Sequence, residues 1–130
     1  MRARITTVYG ALAMLWALAV VVQVFLAGLG IFGATSFDAH KSFGGILHGI
    51  TALLAILAIA GPRTGRDIGM AVGLLVLVTV QIALVGSRDS APGLAALHPV
   101  LALAAMGLAV HMGMHVLRRG RREPVAPARA

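Results

Sequence analysis

The segment VYGALAMLWALAVVVQVFLAGLGIF, residues 8–32, carries no charged side chain over its whole length. A helix rises about 1.5 Å per residue, so about 20 apolar residues cross the hydrocarbon core of a bilayer. The segment is longer than this and therefore predicts a tilted transmembrane helix. A cleaved signal peptide is the alternative interpretation, but the apolar part of such a peptide has only about 7 to 15 residues.

Three further apolar runs follow in the chain. With the first, they predict transmembrane helices over about 8–32, 37–60, 68–85 and 94–117. Ser36 is the expected N-cap of the second helix. Because the connections are short, consecutive helices must be antiparallel neighbours, which gives an all-α, up-down-up-down four-helix bundle. This integral membrane bundle is expected to form one domain over residues 1–120, followed by a disordered cytoplasmic tail over residues 121–130.

The composition favours a bilayer over water as the surroundings of this chain. Hydrophobic residues make up 59% of it, the mean hydropathy is +0.95, and the absence of cysteine excludes disulfides and thiolate metal sites. The formal net charge of +7 comes from basic residues beside the apolar runs, a distribution that does not suggest a nucleic-acid-binding surface. Three clusters contain most of them: Arg2 and Arg4; Arg63 and Arg66; Arg118, Arg119, Arg121 and Arg122.

The two other junctions, between the first and second and between the third and fourth predicted helices, each contain one basic residue. These residues are Lys41 and Arg88. Loops rich in arginine and lysine remain on the cytoplasmic side of a membrane. The sequence therefore predicts a multi-pass plasma-membrane protein whose N-terminus, middle loop and C-terminus are cytoplasmic.

An internal repeat is visible when the sequence is shifted by 58 positions, which aligns the first predicted helix with the third and the second with the fourth. The shift pairs Gln23 with Gln81, the two glutamines of the chain, and His40 with His98. Each glutamine precedes its histidine by 17 residues. We interpret this as two helical hairpins related by a pseudo-two-fold axis along the membrane normal.

Such an axis would place His40 and His98 at the same depth on opposite sides of the bundle interior. Two imidazoles that face each other in a four-helix core are typical axial ligands of a haem iron, so one haem b is the predicted cofactor. Gly44 and Ala102, one turn along from these histidines, would leave room for the flat macrocycle. A single histidine at a helix end is usually just an interfacial residue, so the hypothesis depends on the pair.

His48 is predicted to lie at a similar depth to Gln23 and Gln81 and to form a polar layer with them. Buried polar groups in a membrane are costly unless they are paired, so this layer is either functional or holds the helices together. His48 is also the replacement ligand if His40 lies too near the membrane surface. A site for a quinone or another small molecule in this layer is a further hypothesis.

His111 and His115 lie one turn apart near the end of the fourth predicted helix. A histidine pair with this spacing can bind a metal ion, but Asp67 is the only carboxylate expected nearby before the tail. Interfacial histidines among the arginines are therefore favoured over a second metal site.

Three short motifs are similar to those of a family of small, functionally uncharacterised actinobacterial membrane proteins with four spans. These motifs are Gln23-x4-Gly28, Ala39-His40-Lys41 and Leu97-His98-Pro99. The resemblance covers the chain to about Leu117 and implies the same four-span architecture.

The layout also resembles one four-helix half of haem A synthase, in which histidines on the second and fourth helices hold a haem. His40 and His98 occupy those helices here, so the resemblance implies b-type haem binding. That family carries a glutamate one turn before such a histidine. This chain has Phe37 there, so oxidation of the haem methyl group is not implied.

The leading hypothesis is a cytochrome b-like membrane protein for electron transfer or haem handling, rather than an enzyme on its own. The alternative is a cofactor-free structural or assembly subunit of a larger membrane complex, in which the polar side chains only hold the helices together. The expected partners are the bilayer and a membrane redox partner or complex, with a homo-oligomer left open and no nucleic acid. Serine and threonine are sparse and no glycine-rich phosphate loop is present, which argues against a hydrolase.

Overall fold

A computed structural model of the protein describes residues 2–61 and 63–122. Within these two ranges the chain forms helices and connecting turns, and no strand. The helices are α1 (Arg2–Ile31), α2 (Asp38–Ala60), α3 (Gly65–Val85), α4 (Pro92–Ala95) and α5 (His98–Arg122). Four of these five are long, which confirms the predicted all-α class with four principal helices.

The long helices are compatible with a bilayer by length and composition. The segments that could cross a membrane are Thr6–Ile31, Asp38–Ala60, Gly65–Val85 and Pro92–Arg119. Large apolar side chains also point outward: Ile31 and Phe32, for example, are 70% and 88% exposed. An apolar surface of this kind is costly in water and matches lipid tails.

The start of α2 differs from the prediction. The N-cap residue is Phe37 rather than Ser36, and it makes no side-chain capping hydrogen bond. Because the helix begins at Asp38, Ser36 lies one residue too early to cap it. The Ser36 hydroxyl donates to Asp38 Oδ2 at 2.8 Å and accepts a long hydrogen bond, 3.4 Å, from the Asp38 amide.

The start of α3 is earlier than predicted because Thr64 and Asp67 form a capping box. The Asp67 amide donates to Thr64 Oγ1 at 3.3 Å, and the Thr64 amide donates to Asp67 Oδ2 at 3.1 Å. These bonds satisfy backbone donors that the first turn of a helix leaves unpaired. The loop between α2 and α3 is correspondingly short.

The fourth predicted helix is divided in the structure. α4 ends at Ala95, the chain turns at residues 96–97, and α5 begins at His98. Pro99 has no amide hydrogen and cannot donate to the carbonyl of Ala95, so a helix that ran through this point would lose a backbone hydrogen bond and be kinked or broken. At its other end α5 continues to Arg122, so residues 121–122 of the predicted tail are helical, and the rest of that tail lies outside the described residues.

The long helices pack as a ring, in which α1 and α3 each contact both α2 and α5. The closest crossing is between α1 and α5. A Cβ atom at Gly113 would lie 2.6 Å from Met14 Cγ, and one at Gly10 would lie 2.8 Å from Leu117 Cγ. Glycine at both positions therefore allows the two helices to approach, as is common for helices packed in lipid.

Small side chains form much of the core. Five fully buried alanines come from all four long helices: Ala13, Ala58, Ala71, Ala105 and Ala109. Trp16 is a large exception, and its Nε1 donates to the carbonyl of Leu47 at 2.9 Å, which joins α1 to α2. The bundle has a His40/His98 end, which contains the α1–α2 and α3–α5 connections, and an arginine end, which contains the α2–α3 connection and the end of α5.

Candidate functional site

The first Gln/His pair, Gln23 and His40, joins α1 to α2. The Nδ1 atom of His40 lies 3.1 Å from the backbone carbonyl oxygen of Gln23. In return, the Gln23 carboxamide donates through Nε2 to the backbone carbonyl of His40 at 3.0 Å. One hydrogen bond therefore holds the half-buried His40 ring against α1, and a second holds the His40 backbone.

The second Gln/His pair, Gln81 and His98, joins α3 to α5 through the same ring contact. The Nδ1 atom of His98 lies 3.0 Å from the backbone carbonyl oxygen of Gln81. Because a carbonyl oxygen only accepts hydrogen bonds, Nδ1 carries the proton in both histidines. The Nε2 atom of each neutral ring then keeps its lone pair and is the atom that can bind a metal.

The imidazole rings of His40 and His98 are close to each other. Their centroids are 6.2 Å apart and their planes are inclined by 71°. A metal–nitrogen bond is about 2 Å long, and the nitrogen lies about 1 Å from the centroid of its ring. When two imidazoles bind opposite sides of one metal, their ring centroids are therefore roughly 6 Å apart. The observed separation is close to that value. The Phe37 ring also contacts His40 edge-on, with centroids 6.3 Å apart.

The small residues one turn along from these histidines differ in their surroundings. At Gly44, a Cβ atom would lie 2.7 Å from Gln23 Nε2. The space expected there for a macrocycle is therefore occupied by the Gln23 carboxamide. Ala102 is half-buried and carries a Cβ atom at the corresponding position in the sequence.

The two glutamine side chains are incompletely hydrogen-bonded. Within the described parts of the chain, neither Gln23 Oε1 nor Gln81 Oε1 has a hydrogen-bond partner, although both atoms are buried. Gln81 as a whole is 8% exposed. A buried acceptor without a partner is costly, so these two atoms are unusual features of the interior.

Among the described residues, His48 bonds to Thr79 rather than to either glutamine. Its Nε2 lies 2.9 Å from Thr79 Oγ1, and the Thr79 hydroxyl donates to the carbonyl of Leu75 at 2.8 Å. Since Thr79 has one proton and uses it on Leu75, it accepts from His48, whose Nε2 must carry a proton. A protonated Nε2 cannot bind a metal. This contact leaves Nδ1 as the ring nitrogen of His48 that could bind a metal, and Thr79 is a partner that sequence reasoning missed.

A polar cluster at the arginine end joins α3 to α5. Asp67 Oδ1 lies 3.6 Å from His115 Nε2, and Asp67 Oδ2 lies 4.0 Å from Arg119 Nη1. The His111 and His115 rings are nearly parallel with centroids 6.2 Å apart, and Arg66 Nη2 donates to His111 Nε2 at 3.3 Å. No group of three or more His, Cys, Asp or Glu side chains that could hold a metal ion occurs among the described residues, in this cluster or elsewhere.

These observations define an all-α protein with four helices of membrane length and two neighbouring histidines, each bonded to a glutamine carbonyl. The chain belongs to a family of unknown function, DUF6220, which matches residues 23–88, about half of its length. This membership agrees with the expected resemblance to an uncharacterised family. The matched segment includes Gln23, His40 and Gln81. No curated protein and no solved structure matches the chain.

Proposed function

We propose that the protein binds one haem b in the plasma membrane, with His40 and His98 as the axial ligands, and that it transfers electrons or handles haem. The observation that carries this proposal is the separation of the two imidazole centroids, 6.2 Å, in rings that are each held through Nδ1 by a glutamine carbonyl. The similarity in layout to one half of haem A synthase favours the same two helices as the source of the ligands.

The contacts of the two histidines suit axial ligation. A hydrogen bond from Nδ1 fixes the tautomer and the orientation of each ring and makes Nε2 a stronger ligand. The porphyrin supplies four nitrogen ligands to the iron, so two imidazoles from the protein are sufficient. No third protein ligand is needed. If His40 and His98 both held the iron, the haem would supply one-electron transfer and would keep no vacant position for oxygen.

The Gln23 carboxamide is the group that would have to move. It lies where a macrocycle beside Gly44 would be placed, and one hydrogen bond to the His40 carbonyl holds it there. A hydrogen bond between transmembrane helices contributes about 0.6 to 2 kcal/mol, so this movement costs little.

Spectra of the purified protein test the proposal. We expect a b-type α band in reduced-minus-oxidised spectra of the wild type and of His48→Ala, and its complete loss in His40→Ala and in His98→Ala. His48 is the matched control because it is a histidine of the same bundle whose Nε2 is bonded to Thr79. A wild-type protein without the band, or a band that survives both ligand substitutions, contradicts the proposal.

The proposed orientation places both termini on the cytoplasmic side, on the basis of the arginine clusters. The chain lacks cysteine, so single introduced cysteines can report the orientation. Ser90→Cys, in the exposed connection between α3 and α5, should react with a membrane-impermeant maleimide on intact cells. Gly65→Cys, where a Cβ atom meets nothing within 4 Å, should react only after lysis. The reverse pattern contradicts the orientation.

A second candidate function is a cofactor-free structural or assembly subunit of a larger membrane complex. Open space beside four glycines of α2 and α3 favours it, because a Cβ atom at Gly45, Gly49, Gly69 or Gly73 would meet nothing within 4 Å. Small residues of this kind let another helix approach closely in lipid. Purification in mild detergent of a stoichiometric partner, or of a homo-oligomer, without any bound chromophore would support this function over haem binding.

A further inference from the structure

The arginine end of the bundle contains an open pocket that the proposed haem site does not use. The pocket has a volume of about 370 Å³ and is lined by His111, Met114, His115, Arg118 and Arg119. All five residues lie near the end of α5, where the membrane-length segment of that helix ends. Four of the five side chains are basic, so the pocket favours an anion.

Asp67 contacts two of these basic side chains, but it does not neutralise the pocket. Its side chain is 5% exposed, and Oδ2 accepts hydrogen bonds from the Thr64 amide at 3.1 Å and the Thr64 hydroxyl at 2.7 Å. Its contacts with His115 and Arg119, at 3.6 and 4.0 Å, join α5 to α3. Asp67 therefore positions two basic side chains from the buried side and leaves the open side positive.

Arg66, outside the pocket lining, and Arg118, within it, both add to the positive charge of this end of the bundle. Arg66 donates from Nη2 to His111 Nε2 at 3.3 Å, which keeps this imidazole next to α3. Arg118 lines the pocket and has no ion-pair partner within residues 2–61 and 63–122. Among the described residues, the pocket and the side chains bonded to its lining thus include one carboxylate, Asp67, and three guanidinium groups, from Arg66, Arg118 and Arg119.

We infer that this pocket binds the phosphate group of an anionic phospholipid at the membrane surface. Guanidinium groups bind phosphate through pairs of N–H donors, and basic pockets at the ends of transmembrane helices bind anionic headgroups. Met114 gives the pocket an apolar wall that is 39% exposed. Such a wall suits the glycerol and acyl portion of a lipid, which a free phosphate ion lacks.

Native mass spectrometry of the detergent-solubilised protein with added phosphatidylglycerol or phosphatidylcholine tests this inference. We expect phosphatidylglycerol to bind more tightly than the neutral lipid. Arg118→Gln should weaken phosphatidylglycerol binding about fivefold, since one arginine at a membrane surface contributes about 1 kcal/mol. Arg88→Gln is the matched control, because it removes the same charge from an exposed side chain outside this pocket, and it should leave binding unchanged.

Three outcomes overturn the inference: equal binding of the two lipids, equal weakening by Arg118→Gln and Arg88→Gln, or complete displacement of phosphatidylglycerol by an equal concentration of inorganic phosphate. The last outcome would mean a site for free anions. Circular dichroism checks that both variants keep the helical content of the wild type. The test is independent of the proposed haem, because it uses neither His40 nor His98 and applies equally to protein with or without a chromophore.

Discussion

The Gln23/His40 pair and the Gln81/His98 pair make the same ring contact, with Nδ1 of the histidine 3.1 and 3.0 Å from the glutamine carbonyl. The two pairs differ in the hydrogen bonds of the glutamine side chain. The Gln23 carboxamide donates to the backbone carbonyl of His40 at 3.0 Å, whereas the Gln81 carboxamide makes no corresponding bond among the described contacts. The residue one turn beyond the histidine explains this difference. It is Gly44 in the first pair, and it is Ala102 in the second.

A Cβ atom at Gly44 would lie 2.7 Å from Gln23 Nε2, which is closer than two such atoms can approach. An alanine in this place therefore excludes the position that the Gln23 carboxamide adopts. The position of the histidine rings is therefore set by contacts with the backbone. The position of the glutamine carboxamide depends on whether a methyl group is present one turn beyond the histidine. Substitutions of the glutamines should thus affect stability more than the placement of the histidines.

The largest effect is expected from Gly44→Leu. The new side chain must occupy the volume that the Gln23 carboxamide fills, and overpacking of this kind costs about 1 to 3 kcal/mol. Gly45→Leu is the matched control on the same helix, because a Cβ atom there meets nothing within 4 Å. The free energy of unfolding in detergent micelles, followed by circular dichroism, should fall much more for Gly44→Leu. Equal losses would contradict the close contact between Gly44 and Gln23.

A smaller effect is expected from exchanging the glutamines. Gln23→Leu removes the hydrogen bond to the His40 carbonyl and should lower the free energy of unfolding by about 1 kcal/mol. Gln81→Leu removes a carboxamide whose buried Oε1 has no partner among the described residues, so it should be neutral or stabilising. Both substitutions remove one unpaired Oε1, so the difference between them isolates the Gln23 bond. If Gln81→Leu lowers the free energy of unfolding more than Gln23→Leu does, the extra hydrogen bond of Gln23 does not distinguish the two pairs.

The smallest effect is expected from Thr79→Val, which lies outside both pairs. This substitution removes the acceptor of His48 and should cost about 0.6 kcal/mol, the average for such a bond between transmembrane helices. The absorption spectrum of any bound haem should stay the same, because His48 is not a proposed ligand. A spectral change comparable to that of His40→Ala would mean that His48 belongs to the site.

The four long helices could be predicted from hydropathy alone, because each needs only a sufficient length of apolar residues. Their ends were predicted less well, even where the sequence contained the signal. Thr64 and Asp67 have the spacing of a capping box, and Pro99 cannot donate to the carbonyl of Ala95. The apolar run of α3 begins only at Ile68, after the capping box, and the last apolar run continues across Pro99, so hydropathy marks neither helix boundary.

Contacts within the site were harder to predict. The spacing identified the Gln23/His40 and Gln81/His98 pairs, but the acceptor is a backbone carbonyl, about which side-chain identity contains no information. The partners of His48 and His115 depend on how each helix is rotated about its axis. A helix that is apolar on all faces does not reveal this rotation in its sequence. Thr79 could therefore be recognised as the partner of His48 only in the structure, whereas Asp67 was already expected as the carboxylate near His115.

The close crossing at Gly10 and Gly113 also has a consequence for biogenesis. It joins α1 to α5, and α1, α2 and α3 are all synthesised before α5, so the ring remains open until α5 has been made. During that interval the surface of α1 beside Gly10 is accessible to lipid and to helices of other nascent proteins. Assembly of the bundle must therefore wait for α5, and a chain that stops before this helix would be a natural target for membrane quality control.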